Sequence, residues 1–363
     1  MQGKTRRVVL WVALLGAAAF AIIKLSSRPA GVGPESNFKA SYTSAAANAE
    51  SASPITRLTF ESAQLVRDFP AKLEHPNKKE IYDLACGLEA TQSGSVTFTR
   101  WAEMALPAEI PHAPKLEIRP DIFTYPEPAT GAMEWHLNFA DPNLFFGYGG
   151  GLFAQDEIQV AEHPALASLR EALLSKRCEF SPESRGRPSP ILITGVERRC
   201  SIALADLYGM RFQRADRATV LAAVHVLRPP TRSNILAMVA PRGGAGTYSR
   251  ADIEQVLQTA YTGFRAARIE SGALKTTIHT GFWGCGAYGG NREMMAMLQI
   301  FAARLAHVDR VVFHAFDDRG VAHVSRAAED LEKIAADGSD RKVPDVVSAI
   351  EMLKLTWGTS DGN

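Results

Sequence analysis

HTGFWGCGAYGGNREMMAMLQIFAARLAHVDRVVFHAFDD, running from His279 to Asp318, carries a strand, a glycine loop, a helix and a second strand in one unbroken unit. The β-branched run Thr276 to Thr280 enters a loop that holds Gly281, Gly284, Gly286, Gly289 and Gly290. Behind Asn291, the residues Met294, Leu298, Phe301 and Leu305 recur at helical spacing, and Val311, Val312 and Phe313 begin a buried strand. Glycines at this density let successive backbone N–H groups point into one concavity, and the helix that follows adds the positive end of its dipole. Such a loop either cradles a pyrophosphate or only turns a strand into a helix, and Trp283 and Tyr288 favour the first reading.

The run Trp283-Gly-Cys-Gly-Ala-Tyr-Gly-Gly290, followed by Leu298, Gln299 and Ile300 and then by the paired-valine strand, resembles the diphosphate-binding loop of the poly(ADP-ribose) glycohydrolases. The resemblance covers roughly residues 95 to 355. It implies an α/β fold: a macrodomain-like three-layer α/β/α core with a mixed sheet and an N-terminal helical accessory region. It also implies that Phe282, Trp283, Gly284, Cys285, Gly286, Ala287 and Tyr288 contact the substrate, and that Phe316, at the end of the Val-Val-Phe-His-Ala-Phe strand, packs against adenine.

The second motif is Asn138 to Glu157, NFADPNLFFGYGGGLFAQDE, which crowds carboxylates beside glycines. Cleaving a glycosidic bond takes an acid to protonate the leaving oxygen and a carboxylate to activate water. Asp156 and Glu157 can share that work if burial and mutual repulsion keep one of them protonated; the plain alternative is a solvated helix start. The spacing also resembles the family, and the register implies that Glu157 is the general acid and base, that Asp156 meets the ribose hydroxyls, and that Asn138, Asp141 and Gln155 complete the site. Three departures stand out. Phe145 and Phe146 replace two signature glycines, with Gly149, Gly150 and Gly151 as candidates to refill their role. Asn138 replaces an Asp, and Asp141 replaces the Asn that follows it in the family. The family's clasping tyrosine falls at Ile202, leaving Tyr208 as the nearest substitute. Two functions follow: a glycohydrolase acting on ADP-ribose polymer or ADP-ribosylated protein, or an ADP-ribose-binding module that has lost catalysis.

A net charge of +1 with both signs mixed along 363 residues argues against nucleic-acid binding through bulk electrostatics. Cys86, Cys178, Cys200 and Cys285 are far apart and read as free thiols. His279, His314 and His323 lack the spacing of a zinc site and read as structural; no cofactor or metal is expected.

Residues 1–26 contain no acid and carry an apolar run from Val8 to Ile23 behind Lys4, Arg6 and Arg7, which favours an uncleaved single-pass membrane anchor over a secretory or organelle-targeting segment. Residues 27–54, rich in Ser, Ala, Gly and Pro, read as a flexible linker. Residues 55–110 read as the helical accessory region, 111–355 as the core and 356–363 as a frayed tail. Within these, Trp135 to Ala140, Ile191 to Thr194 and Val220 to Val226 read as strands, while Asp252 to Arg268 and Val343 to Leu355 read as helices.

Overall fold

The structure, a computed structural model, describes residues 38–43, 52–87, 92–204, 207–336 and 341–360. The expected membrane anchor, most of the linker and the last residues of the tail lie outside them. Among the described residues no helix is long and apolar enough to cross a membrane.

Eight strands build one mixed sheet: β1 (Thr56–Glu61), β2 (Ser95–Arg100), β3 (Lys115–Arg119), β4 (Ala132–Phe139), β5 (Ile191–Ile202), β6 (Val224–Met238), β7 (Lys275–Thr280) and β8 (Arg310–His314). Their spatial order is β1-β2-β5-β6-β4-β7-β8-β3. From β6 to β3 the neighbours are parallel, and from β6 back to β1 they are antiparallel. The helices are α1 (Ser62–Asp68), α2 (Pro76–Cys86), α3 (Gln155–Glu162), α4 (Ala165–Ser175), α5 (Arg211–Arg214), α6 (Arg217–Ala223), α7 (Arg250–Glu270), α8 (Arg292–Leu305), α9 (Asp318–Ala336) and α10 (Val343–Met352).

Strand alternation explains the three layers. In β6, Leu236 and Met238 join the apolar cluster with α7, α8, α9 and α10, whereas Ile235 and Ala237 join the cluster with α4 and Leu65 of α1. A strand that is apolar on both faces must be covered on both. β4 breaks this pattern. Trp135 and Leu137 face the α7–α8 cluster, but Glu134, His136 and Asn138, buried on the opposite face beneath α3, are polar.

The two long core helices begin where side chains satisfy their first N–H groups. The Asn291 amide oxygen accepts from Glu293 and Met294 at 3.0 and 3.1 Å, and the Ser249 hydroxyl accepts from Asp252 at 3.2 Å. Two segments differ from expectation. Val220 to Ala223 belong to α6, because Asp216 caps that helix through Thr219 N at 2.7 Å; the strand starts only at Val224. Thr56 to Glu61 alternates in burial and forms β1, so the accessory region contributes α1 and α2 and also extends the core sheet with β1 and β2. The segment read as a frayed tail is docked as far as it is described. Thr356 pairs with Thr247, the Trp357 ring stacks on Tyr248 at 4.0 Å, and Gly358 N donates to Gly289 O at 2.8 Å.

Candidate functional site

The parallel strands β6, β4, β7 and β8 all end at one edge of the sheet, and their outgoing loops form the site, as open α/β sheets favour. After β4 comes the acidic loop, after β7 the glycine loop, and after β8 the exposed ring of Phe316. Phe316 holds a left-handed backbone, φ 71°, and Phe316 N donates to Asp121 O at 3.0 Å.

The acidic loop returns to the end of β4 through side chains. Gln155 accepts from Phe139 N at 2.8 Å and donates to Leu137 O at 2.9 Å, tying the first residue of α3 to the strand. Asn138 donates to Asp156 at 3.0 Å, and Glu157 accepts from Ala154 N at 3.0 Å. Asp156 and Glu157 are 7% and 6% exposed, which rules out the solvated helix start. Burial, and next the charge of Glu157, push the Asp156 carboxyl up to about 8, so it holds a proton at neutral pH. At position 138 an amide donates a hydrogen bond to the pair, and the Asp141 charge also acts on Asp156. Asp141 turns outward, accepting from Asn143 N at 2.7 Å, yet its charge and that of Asp156 both act on Tyr288, whose phenol is pushed up by burial and by these carboxylates.

The departures from the family's glycines are resolved by orientation. Phe145 adopts φ 57°, a conformation that suits glycine, and its ring is fully buried in the cluster with Leu144 and Val160. Holding a bulky residue there costs on the order of 1 kcal/mol or more, offset by the buried ring. Phe146 is 66% exposed, 6.0 Å from the Arg170 guanidinium. Gly147, the one signature glycine retained, lies directly against Glu157: a Cβ there would collide with Oε1. Gly149 packs on the Lys72 carbonyl and Gly151 on Gln213, so these two do not take over the lost positions. Ile202 is buried and donates its N–H to Glu162 at 3.0 Å. Tyr208 is half-exposed on the turn whose Gly209 N donates to Phe153 O at 2.9 Å, next to the acidic loop.

In the glycine loop, Trp283 is fully buried and donates Nε1–H to Met238 O at 3.0 Å; its ring anchors the loop from behind. Gly284 has φ 75°, and a Cβ there would lie 2.7 Å from Ala240. Phe282 packs edge-on against Phe313, with the Arg292 guanidinium 4.8 Å above its ring. Gln299, the centre of the Leu-Gln-Ile triplet, donates to Gly281 O at 3.1 Å and so fixes where the loop begins. Burial pushes the Cys285 thiol up to about 12, which makes it no nucleophile. Among the described residues, the N–H groups of Gly284, Gly286, Ala287 and Tyr288 donate to no protein acceptor, while those of Cys285, Gly289 and Gly290 bond within the loop. Free N–H groups at such spacing suit an anionic ligand.

Sequence reading missed two cations. Lys78 of α2 is 2% exposed, its Nζ donating to Tyr148 O at 3.1 Å with the Phe153 ring 4.9 Å away. Burial pushes its ammonium down to about 8, against the pull of Glu157 and Asp156. Its spacing to Ile81 and Ala85, which share its buried face, was the signal available. Arg242, in the loop after β6, is exposed and acts on the Tyr288 phenol. The histidines also group differently than spacing suggested. His279 and His314 meet His136 and Glu134 under α3, whereas His323 pairs with Glu293 at 3.0 Å.

A sequence profile described as "Poly (ADP-ribose) glycohydrolase (PARG), Macro domain fold" matches residues 135–323, just over half of the chain. Among solved structures, poly(ADP-ribose) glycohydrolase from Thermomonospora curvata is similar at 18% identity and a TM-score of 0.41, over 73% of this chain and 97% of that one. The enzyme from Deinococcus radiodurans, solved in complex with ADP-ribose, is similar at 18% identity and a TM-score of 0.36, over 76% of this chain and 95% of that one.

Proposed function

The chain belongs to the poly(ADP-ribose) glycohydrolase family, and we propose that it hydrolyses the ribose–ribose O-glycosidic bonds of poly(ADP-ribose). The observation that carries this reading is the buried pair Asp156 and Glu157, held at the strand ends beside a loop of unpartnered N–H groups. The proton that the carboxyl pair holds reaches the leaving ribose oxygen through Glu157, whose carboxylate then takes a proton from the attacking water as the oxocarbenium-like centre collapses. Asp156, oriented by Asn138, hydrogen-bonds a ribose hydroxyl. The free N–H groups of the glycine loop and Arg242 take the diphosphate, and Phe316 supplies an exposed face for adenine. Binding of ADP-ribose by the Deinococcus radiodurans enzyme supports this ligand. The test is release of ADP-ribose from purified polymer by the wild-type chain; release at no more than the uncatalysed rate rejects the reading.

One observation favours the binding module instead: a buried isoleucine stands at the clasp position. That reading gives ADP-ribose binding with no release from polymer, so the same assay, run beside a binding titration, separates the two. The acid-free, apolar segment 1–26 supports attachment of the domain to a membrane. Carbonate-washed membranes should retain the full-length chain, and its appearance in the wash would reject the anchor.

A further inference from the structure

On the face of the sheet covered by α3, strands β4, β7 and β8 bring together four buried side chains that the proposed hydrolysis does not use. His279 Nε2 lies 2.9 Å from Glu134 Oε2, His279 Nδ1 lies 3.0 Å from His314 Nε2, and His314 Nδ1 lies 2.7 Å from Asp121 Oδ1. Each of these three contacts needs one hydrogen. Two neutral imidazoles supply two, so with both carboxylates ionised the chain is one hydrogen short.

His136 adds a second, independent observation. It is 3% exposed and stacks on His279 with ring centroids 4.3 Å apart. Its Nε2 faces the Thr124 carbonyl at 3.2 Å, and a carbonyl only accepts, so the ring hydrogen is on Nε2. Nδ1 is therefore a bare lone pair, buried and without any partner among the described residues. Glu134, His136 and His279 each offer a ligand atom, and the three atoms lie within 4.8 Å of one another.

We propose that Glu134, His136 and His279 form a buried binding site for one divalent first-row metal ion, of which zinc is the type. An ion bound by Glu134 Oε2, His279 Nε2 and His136 Nδ1 takes the place of the missing hydrogen and satisfies the orphaned lone pair. His279 then donates through Nδ1 to His314, and His314 through Nδ1 to Asp121, a chain of outer partners that fixes the tautomer of the ligand. Two imidazoles and a carboxylate suit zinc, with a fourth position left for water. To bind, the donor atoms must close to the roughly 3.3 Å edge of a tetrahedral shell, so the His136 ring turns out of its stack on His279. The site lies two residues along β4 from Asn138, where His136 and His279 are paired across the two strands, so a bound ion would pin β4 to β7.

The full-length chain, free of any polyhistidine tag and stripped of metal by dialysis, should be titrated with Co²⁺ and with Zn²⁺. One ion per chain is expected, Co²⁺ giving the visible ligand-field absorption of a low-coordinate nitrogen and oxygen shell. Asp121→Asn should weaken Zn²⁺ binding about 10- to 100-fold by loosening the outer chain, and His136→Phe should abolish it. Failure of the wild type to take up either ion, or undiminished binding by His136→Phe, overturns the proposal. Should His136→Phe not fold, the imidazole resonances of His136 and His279 in the wild type decide: they shift with one equivalent of Zn²⁺, or the proposal fails.

Discussion

Gly147 and Glu157 are in contact across the acidic loop, so closely that the carboxylate of one occupies the space a side chain on the other would need. The contact uses the far end of a flexible side chain, so adding a methyl group displaces the carboxylate and leaves the fold intact. Gly147→Ala should lower turnover about 10²-fold, the usual penalty for a misplaced catalytic group. Its thermal midpoint should stay close to that of the wild type. Turnover within a factor of two of wild type would show that the position of Glu157 in this contact does not matter.

Asp156 makes stability depend on pH in a defined direction. Its carboxyl holds a proton up to about 8 in the folded chain but only to about 3.8 when unfolded. The folded state therefore binds more protons between those values, and stability falls as pH rises through that window. Asp156→Asn should flatten this decline in denaturant titrations run from pH 4 to pH 8. Lys78 is the counterweight, since its charge favours ionised Asp156. In Lys78→Met the Asp156 carboxyl carbon should titrate at higher pH than in the wild type by nuclear magnetic resonance, and an unchanged midpoint would show the two groups to be uncoupled.

The candidate site at the strand ends was legible in the sequence because glycine, aromatic and carboxylate residues there sit at short, fixed spacings. Thr276 to Thr280, the capped helix after Asn291 and the Val311 strand all formed, Asn138 met Asp156 at 3.0 Å, and Gln155 and Glu157 accepted from Phe139 N and Ala154 N at 2.8 and 3.0 Å. Three features were hidden for distinct reasons. Lys78 reaches the site from a helix some eighty residues away in sequence, through a packing contact that spacing cannot reveal. The rings of Phe145 and Phe146 could not be aimed without the backbone, and φ 57° at Phe145 turns its ring into the core. Glu134, His136, His279 and His314 become neighbours only through the pairing of β4, β7 and β8.

Trp357 supports the glycine loop from outside the matched family region. Its indole packs on Gly244 and on Tyr248, whose hydroxyl accepts from Asn291 N at 2.9 Å, and the next residue bonds to Gly289. Trp357→Ala should loosen the loop and weaken ADP-ribose binding about 10-fold while sparing the Glu157 side of the site, so that KM rises more than kcat falls. Equal loss in both would place Trp357 in a general stabilising role.

The central claim is that Glu157 moves the protons of hydrolysis, and one paired measurement addresses it. ADP-ribose affinity by calorimetry and ADP-ribose release from polymer should be determined on the wild type and on Glu157→Gln. The amide keeps size and hydrogen-bonding shape but cannot give or take the proton, so release should fall about 10²- to 10⁴-fold with affinity nearly unchanged. A Glu157→Gln chain that releases ADP-ribose as fast as the wild type would contradict the account.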